Sequence, residues 1–146
     1  DDSATRLSGE ERELLQQLRQ RDREVRQHEQ AHMAAGGEYA RGAQFEYQQG
    51  PRGQLWAVGG EVSFDASRPD DPREAVEKGK TLAEAALAPA QPSNQDLRVA
   101  SQARQMVAEA QAELRNTQSP AEGDAAYRRS SGSEGPEAGR NLDRVV

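Results

Sequence analysis

The sequence is 146 residues long, has no cysteine and carries a formal net charge of −6, so it has room for one domain and excludes disulfide scaffolds and thiolate metal sites. Its acidic balance also excludes nucleic-acid binding, which needs a basic patch. Leu, Ile, Val and Phe together number only 20, about 14% of the chain, below the roughly 20% that separates folded from disordered composition. A large apolar core is therefore excluded, and a bound metal ion could help to stabilise a small one.

The distribution of apolar residues argues against a membrane-spanning protein and against a signal peptide. No apolar run approaches the roughly 18–20 residues of a membrane span, and no basic start followed by an apolar stretch marks a signal peptide. The lack of cysteine suits both the cytosol and export, and with no leader visible we favour a cytoplasmic location. The oligomeric state stays open.

A long helix is predicted over about residues 9–35. Ser8 and Glu11 have the spacing of a capping box, in which hydroxyl and carboxylate satisfy the first backbone N–H groups. The glycine pair at 36–37 is a suitable C-terminal cap. Alternating spacings of four and three place one set of side chains on a common stripe of this helix, namely Leu14, Leu18, Arg21, Val25, His28, His32 and Ala35.

The next segment has the pattern of an antiparallel hairpin. Apolar and polar residues alternate over 43–48 and 61–65, and 55–58 is apolar, while 49–53 is dense in turn residues. Gly59 and Gly60 permit a bulge or kink between the later segments. Because side chains alternate along a strand, Glu61 and Asp65 are expected to share one face.

Two more helices are predicted after the hairpin. The first runs over about 72–88 and follows the acidic segment 69–71, and the second begins after Ser93 and runs to about Asn116. Residues 1–7 are predicted to be flexible and 117–146 to form a disordered tail, because they have almost nothing to bury. We therefore predict an α+β fold in which one domain spans 8–116. One face of the last helix is expected to comprise Leu97, Ala100, Val107 and Leu114.

The strongest chemical signal is the string His28-Glu29-Gln30-Ala31-His32, an H-E-x-x-H motif inside a predicted helix. Two histidines four residues apart lie one turn apart on the same face, so both imidazoles can reach one Zn²⁺ ion. Glu29 lies about 100° around the helix from His28. It can therefore accept a proton from water whose pKa the metal lowers, without being a ligand itself. The bland alternative is a charged helix with two surface histidines.

A catalytic zinc ion usually has three protein ligands and one open position. No third histidine exists in the chain, so the remaining ligand is expected to be a carboxylate. Glu61 is the first choice, because the preceding glycine pair allows close approach of the backbone to another element. Asp65 shares its face and is the alternative. Two weaker candidates are Glu38 and Glu46.

Three stretches resemble the SprA-related family of bacterial proteins assigned as zinc metalloproteases. They are REVRQHEQAHMAAGG over 23–37, YQQGPRG over 47–53 leading into WAVGGEV over 56–62, and AALAPA over 85–90 with Pro92, Ser93 and Asp96. The resemblance covers about 8–115 and implies a zinc-dependent peptidase in which His28 and His32 are ligands and Glu29 is the base. It also implies that the Gly-Gly-Glu segment supplies a ligand.

These observations predict a small zinc metallopeptidase that acts on a peptide or protein substrate. Tyr39 or Tyr47 could donate a hydrogen bond to the oxyanion, although packing of either ring in a small core is the simpler interpretation. The alternative is a non-catalytic helical interaction module, in which the metal site is structural or vestigial.

Overall fold

A computed structural model of the protein describes residues 6–118 and has the predicted α+β class, with three helices and one two-stranded antiparallel sheet. The predictions made for residues 1–5 and 119–146 lie outside the described residues. A short 3-10 turn, Gly37–Tyr39, joins the first helix to the first strand. The elements in chain order are α1 (Gly9–Gly36), β1 (Ala40–Gln49), β2 (Leu55–Phe64), α2 (Pro72–Ala86) and α3 (Asn94–Gln118).

None of the helices within residues 6–118 has the length and apolarity needed to cross a bilayer.

Helix α1 begins as predicted but turns a different face inward. The Ser8 hydroxyl accepts from the Glu11 N–H at 3.1 Å, and the Glu11 carboxylate accepts from the Ser8 N–H at 2.9 Å. Leu14 is 38% exposed and Ala35 is also exposed, so the predicted stripe was wrong at both ends. Because Glu29 and His32 are polar, the buried stripe does not stand out as an apolar pattern in the sequence. The buried residues are Leu15, Leu18, Val25, Glu29, His32 and Gly36.

Strand β2 is one continuous strand, with an irregularity just before its two glycines. Glu46 pairs with Gly59 and Tyr47 with Ala57, which leaves one residue of β2 unpaired as a bulge. Helix α1 satisfies the backbone there. Asp22 accepts from the Ala57 N–H at 2.7 Å. Arg21 Nε donates to the Val58 carbonyl oxygen at 3.0 Å.

Helices α2 and α3 form a hairpin with a close-packed interface of small residues. Asp71 caps α2 by accepting from the Arg73 N–H at 2.9 Å. Leu97, which shares the predicted face of α3 with the buried Ala100, is itself 51% exposed. The buried face of α3 is the one that begins at Asp96 and continues through Ala100 and Ala103. The buried small and apolar residues of the hairpin are Ala75, Gly79, Leu82, Ala85, Ala86, Ala100, Ala103 and Ala110.

We expect Gly79→Ala to lower the free energy of unfolding by about 1–3 kcal/mol, the usual cost of overpacking. A Cβ at this position would lie 2.6 Å from Val107 Cγ2 and 2.9 Å from the Ala103 carbonyl oxygen. The backbone carbonyl cannot move without shifting α3. The clash outweighs the gain of roughly 1 kcal/mol in helix propensity that alanine brings.

Urea denaturation of the metal-free protein measures this cost, and Gly9→Ala is the matched control. Gly9 also lies in a helix, but a Cβ there would have nothing within 4 Å. Equal unfolding midpoints for the two variants would contradict the close approach of α2 and α3.

Candidate metal centre

Helix α1 brings the two motif histidines together at its C-terminal third. Their Nε2 atoms are 3.2 Å apart, and their rings meet edge to face with centroids 4.8 Å apart. His32 is buried, with 2% of its side chain exposed, whereas His28 is 24% exposed. The site therefore has one wall within the core and one that solvent can reach.

The orientation of His32 is fixed by contacts on both sides of its ring. Its Nδ1 lies 2.8 Å from the carbonyl oxygen of Ala85, in the last turn of α2. Because a carbonyl can only accept, Nδ1 carries the hydrogen and donates it. Phe64 packs edge to face against the ring at 5.8 Å between centroids. In the neutral imidazole Nε2 therefore presents a lone pair towards His28, which is the state a metal ligand requires.

Asp96, at the start of α3, is the third group of this cluster. Its Oδ2 lies 3.1 Å from Nε2 of His28 and 3.1 Å from Nε2 of His32. The Ser93 N–H donates to the same oxygen at 2.8 Å, and the Ser93 hydroxyl accepts from the Asp96 N–H at 3.1 Å. This capping box fixes the carboxylate. Burial acts to raise the pKa of Asp96, but the Ser93 backbone hydrogen bond and the charge of His32 outweigh it and lower that pKa.

These three side chains have the spacing of a tetrahedral zinc site. The distances between the two Nε2 atoms and Oδ2 are 3.1, 3.1 and 3.2 Å. Ligand bonds of about 2.0–2.1 Å in a tetrahedron give edges of about 3.3 Å. The Nε2 lone pair of neutral His32 faces a carboxylate oxygen, and a cation between them turns that repulsion into attraction. The donor set therefore fits Zn²⁺ and leaves a fourth position.

Glu29 lies beside the cluster as a buried carboxylate. It is 4% exposed, and its Oε1 has no hydrogen-bond partner among the described residues. One ligating atom each of His28, Glu29 and His32 fall within 4.8 Å of one another. Burial raises the pKa of Glu29, and the nearby His28 and His32 partly offset the rise. An unpartnered acceptor at this position can receive a proton from water.

Gly60 explains how β2 comes so close to this carboxylate. A Cβ on Gly60 would lie 3.2 Å from Glu29 Cγ and 3.0 Å from the Gln44 carbonyl oxygen. Only glycine leaves room for the strand between the side chain and β1. The glycine pair therefore allows the close approach that the sequence indicated, and the group it approaches is the expected base.

The carboxylates predicted as third ligands lie elsewhere in the structure. Glu61 is exposed and is not part of the cluster within 4.8 Å, although its charge contributes to the raised pKa of Glu29. Asp65 accepts from Ser67, and its Oδ1 is 3.3 Å from Lys78 Nζ. The Ser67 hydroxyl, the Ser67 backbone and Lys78 together lower the pKa of Asp65 to about 2.

Four other candidate residues also have different surroundings. Glu46 folds over β2, so that a Cβ on Gly59 would lie 2.9 Å from its Oε1. Glu38, in the turn after α1, is exposed. Burial is the largest cause of the raised pKa of Tyr39, and the charge of Glu38 raises that pKa further. Tyr47 is 51% exposed.

A model of the SprA-related family matches residues 2–123, which include every residue of the cluster. The chain belongs to the SprA-related family. Searches among curated proteins and among solved structures returned no match to it. The family name specifies no reaction, so the function of this SprA-related protein has to be argued from its geometry.

Two cavities flank the cluster of the SprA-related protein. One, of about 640 Å³, has His28, Glu29 and Gly60 in its wall. The other, of about 300 Å³, lies between β2 and α3 and is lined partly by Phe64, which contacts His32, and by Gln95, next to Asp96. The larger cavity therefore gives access to two residues of the motif, His28 and Glu29.

The contact of Asp96 with both motif histidines was not predicted from the sequence. Helix capping by itself explains an acidic residue three positions after Ser93, so this position alone gave no reason to expect its contact with the histidines. A signal was nevertheless present, because Asp96, Ala100 and Ala103 have the 4 and 3 spacing of one helix face. An acidic residue that begins a face of small buried residues is a candidate ligand.

Proposed function

We propose that this SprA-related protein is a zinc-dependent peptidase in which His28 and His32 hold the ion and Glu29 is the general base. The observation that carries the proposal is the buried Glu29 carboxylate, whose Oε1 has no hydrogen-bond partner within residues 6–118, beside two imidazole Nε2 atoms 3.2 Å apart. A buried charge without a partner opposes folding. A catalytic role explains why the chain tolerates it.

The chemistry of the site divides between the ion and the chain. A bound Zn²⁺ ion is a Lewis acid that lowers the pKa of water and polarises a peptide carbonyl. Glu29 Oε1 accepts the proton of the attacking water and returns it to the leaving amine, which needs a proton to depart. His32 is kept in the ligating tautomer by donating from Nδ1 to the Ala85 carbonyl.

The surroundings of the site favour a polypeptide over a small molecule. A cavity of about 640 Å³ has His28 and Glu29 in its wall, and a second of about 300 Å³ is lined by Phe64 and Gln95, next to residues of the cluster. Gly60 lies against Glu29 and exposes no side chain that would block a substrate backbone. Val62, Phe64 and Val99 give the smaller cavity an apolar lining suited to an apolar side chain.

A structural role for the ion is the second candidate function, and one observation favours it. The ion would join α1 to the first turn of α3 through Asp96, in a chain with few large apolar residues. A metal that links two helices stabilises the fold whether or not it catalyses a reaction.

We expect the zinc-loaded protein to cleave members of a mixed peptide library, and mass spectrometry of the new termini measures this. A chelator should abolish cleavage, and added Zn²⁺ should restore it. Circular dichroism of the chelated protein controls for unfolding. One zinc ion per chain without any cleavage would contradict the peptidase and support the structural role.

A further inference from the structure

We infer that Asp96 is the third protein ligand of the metal ion, and that the ion thereby fastens the N-terminus of α3 to α1. The inference rests on the proposed binding of zinc by His28 and His32 but not on peptidase activity. It assigns the ligand to a residue 35 positions beyond Glu61 in the sequence.

The contact of Asp96 with His32 is poorly satisfied without a cation. Its Oδ2 accepts from the Ser93 N–H at 2.8 Å and also faces the Nε2 atoms of His28 and His32 at 3.1 Å each. His32 donates from Nδ1 to a carbonyl, so the Nε2 of its neutral ring has no hydrogen to offer. In that state the Nε2 lone pair of His32 faces a carboxylate oxygen of Asp96 until a positive charge lies between them.

Hydrogen bonds with Ser93 already hold Asp96 in place. The Ser93–Asp96 capping box fixes both the backbone and the carboxylate of the first turn of α3. Its side chain is 15% exposed, so zinc can be reached without ordering a mobile group. Glu61 is exposed, and as a ligand it would lose more conformational freedom on binding.

Asp96 also supplies a polar link between α3 and α1. Helix α3 packs mainly on α2 through small residues, including Ala103 against Gly79. Asp96 reaches across to α1 at His28 and His32. Zinc binding therefore couples the start of α3 to the motif helix, and metal removal releases that end of the helix first.

The test compares matched substitutions that each remove one negative charge. Asp96→Asn keeps an oxygen that can accept from Ser93, so the cap is retained while the anionic ligand is lost. Glu61→Gln tests the competing assignment, and Asp70→Asn, at an exposed position, controls for the loss of charge. Zinc content and zinc affinity are measured by competition with a chelator of known affinity.

Asp96→Asn should weaken zinc binding by more than the roughly 10–100-fold that loss of an outer hydrogen-bond partner costs. Glu61→Gln and Asp70→Asn should retain one zinc ion per chain. Loss of zinc in Glu61→Gln with retention in Asp96→Asn would overturn the assignment in favour of Glu61. Equal, near-native affinity of all three variants would also overturn it.

A zinc-loaded crystal structure of the unaltered protein gives a readout that is independent of variant folding. The expected result is Asp96 Oδ2 at about 2.0–2.2 Å from the ion. An ion bound by both histidines with Asp96 turned away would overturn the inference. Failure of the peptidase assay leaves both measurements intact, so the two proposals fail separately.

Discussion

Glu29→Gln should reduce peptide hydrolysis by roughly 10²–10⁴-fold, the usual contribution of a general base, while zinc content stays near one ion per chain. Glutamine has the same shape but cannot accept the proton of the attacking water. The unaltered Glu29 is 4% exposed, and its Oε1 has no hydrogen-bond partner in the part of the chain that the structure describes. Neutralising it should therefore leave the free energy of unfolding unchanged or raise it. Initial rates, zinc analysis and urea denaturation measure the three effects.

Glu13→Gln is the matched control for this experiment. Glu13 is an exposed residue of the same helix, and the substitution makes the same change in charge. It should hydrolyse peptides at the rate of the unaltered protein. Full activity of Glu29→Gln would rule out the proposed base, and parallel loss of zinc would reassign Glu29 as a ligand.

His32→Ala should eliminate zinc binding and also destabilise the metal-free protein by about 2–4 kcal/mol, because it combines a cavity with a carbonyl left unpaired. The His32 ring is 2% exposed and donates to the Ala85 carbonyl oxygen at 2.8 Å. His28→Ala should eliminate zinc binding as well but cost less stability, since that side chain is 24% exposed.

Zinc content and urea denaturation of both metal-free variants test this asymmetry. The difference in unfolding free energy between the two variants separates the contribution of His32 to the core from its contribution to the metal site. Normal zinc content in either variant would contradict the proposed centre. Equal destabilisation by the two substitutions would contradict the described burial of His32.

Local sequence signals predicted the elements of this fold better than the orientation of their faces. The capping box at Ser8, the acidic cap before Pro72 and the glycine-rich turn each determine the geometry of a few neighbouring residues. Their consequences could therefore be read directly. Which side of α1 is buried depends on β2, and two polar residues on the buried stripe, Glu29 and His32, obscured the apolar periodicity.

The candidate site was predictable to the extent that it is local. His28 and His32 lie on one helix, so their spacing determines their proximity, and their Nε2 atoms are 3.2 Å apart. The position of Asp96 depends on the packing of α3 against α2 and of α2 against α1. No spacing in the sequence encodes that distance. Glycine correctly indicated a close approach at Gly60, but the partner in that approach is Glu29.

The hydrogen bonds from α1 to the bulge of β2 have a consequence for solubility. A two-stranded sheet has free edges, and unpaired backbone groups on such an edge invite pairing with a strand of another molecule. Asp22 already occupies the Ala57 N–H and Arg21 the Val58 carbonyl. One turn of the motif helix thus occupies two backbone groups that could otherwise pair with another chain, two turns before the same helix presents its imidazoles.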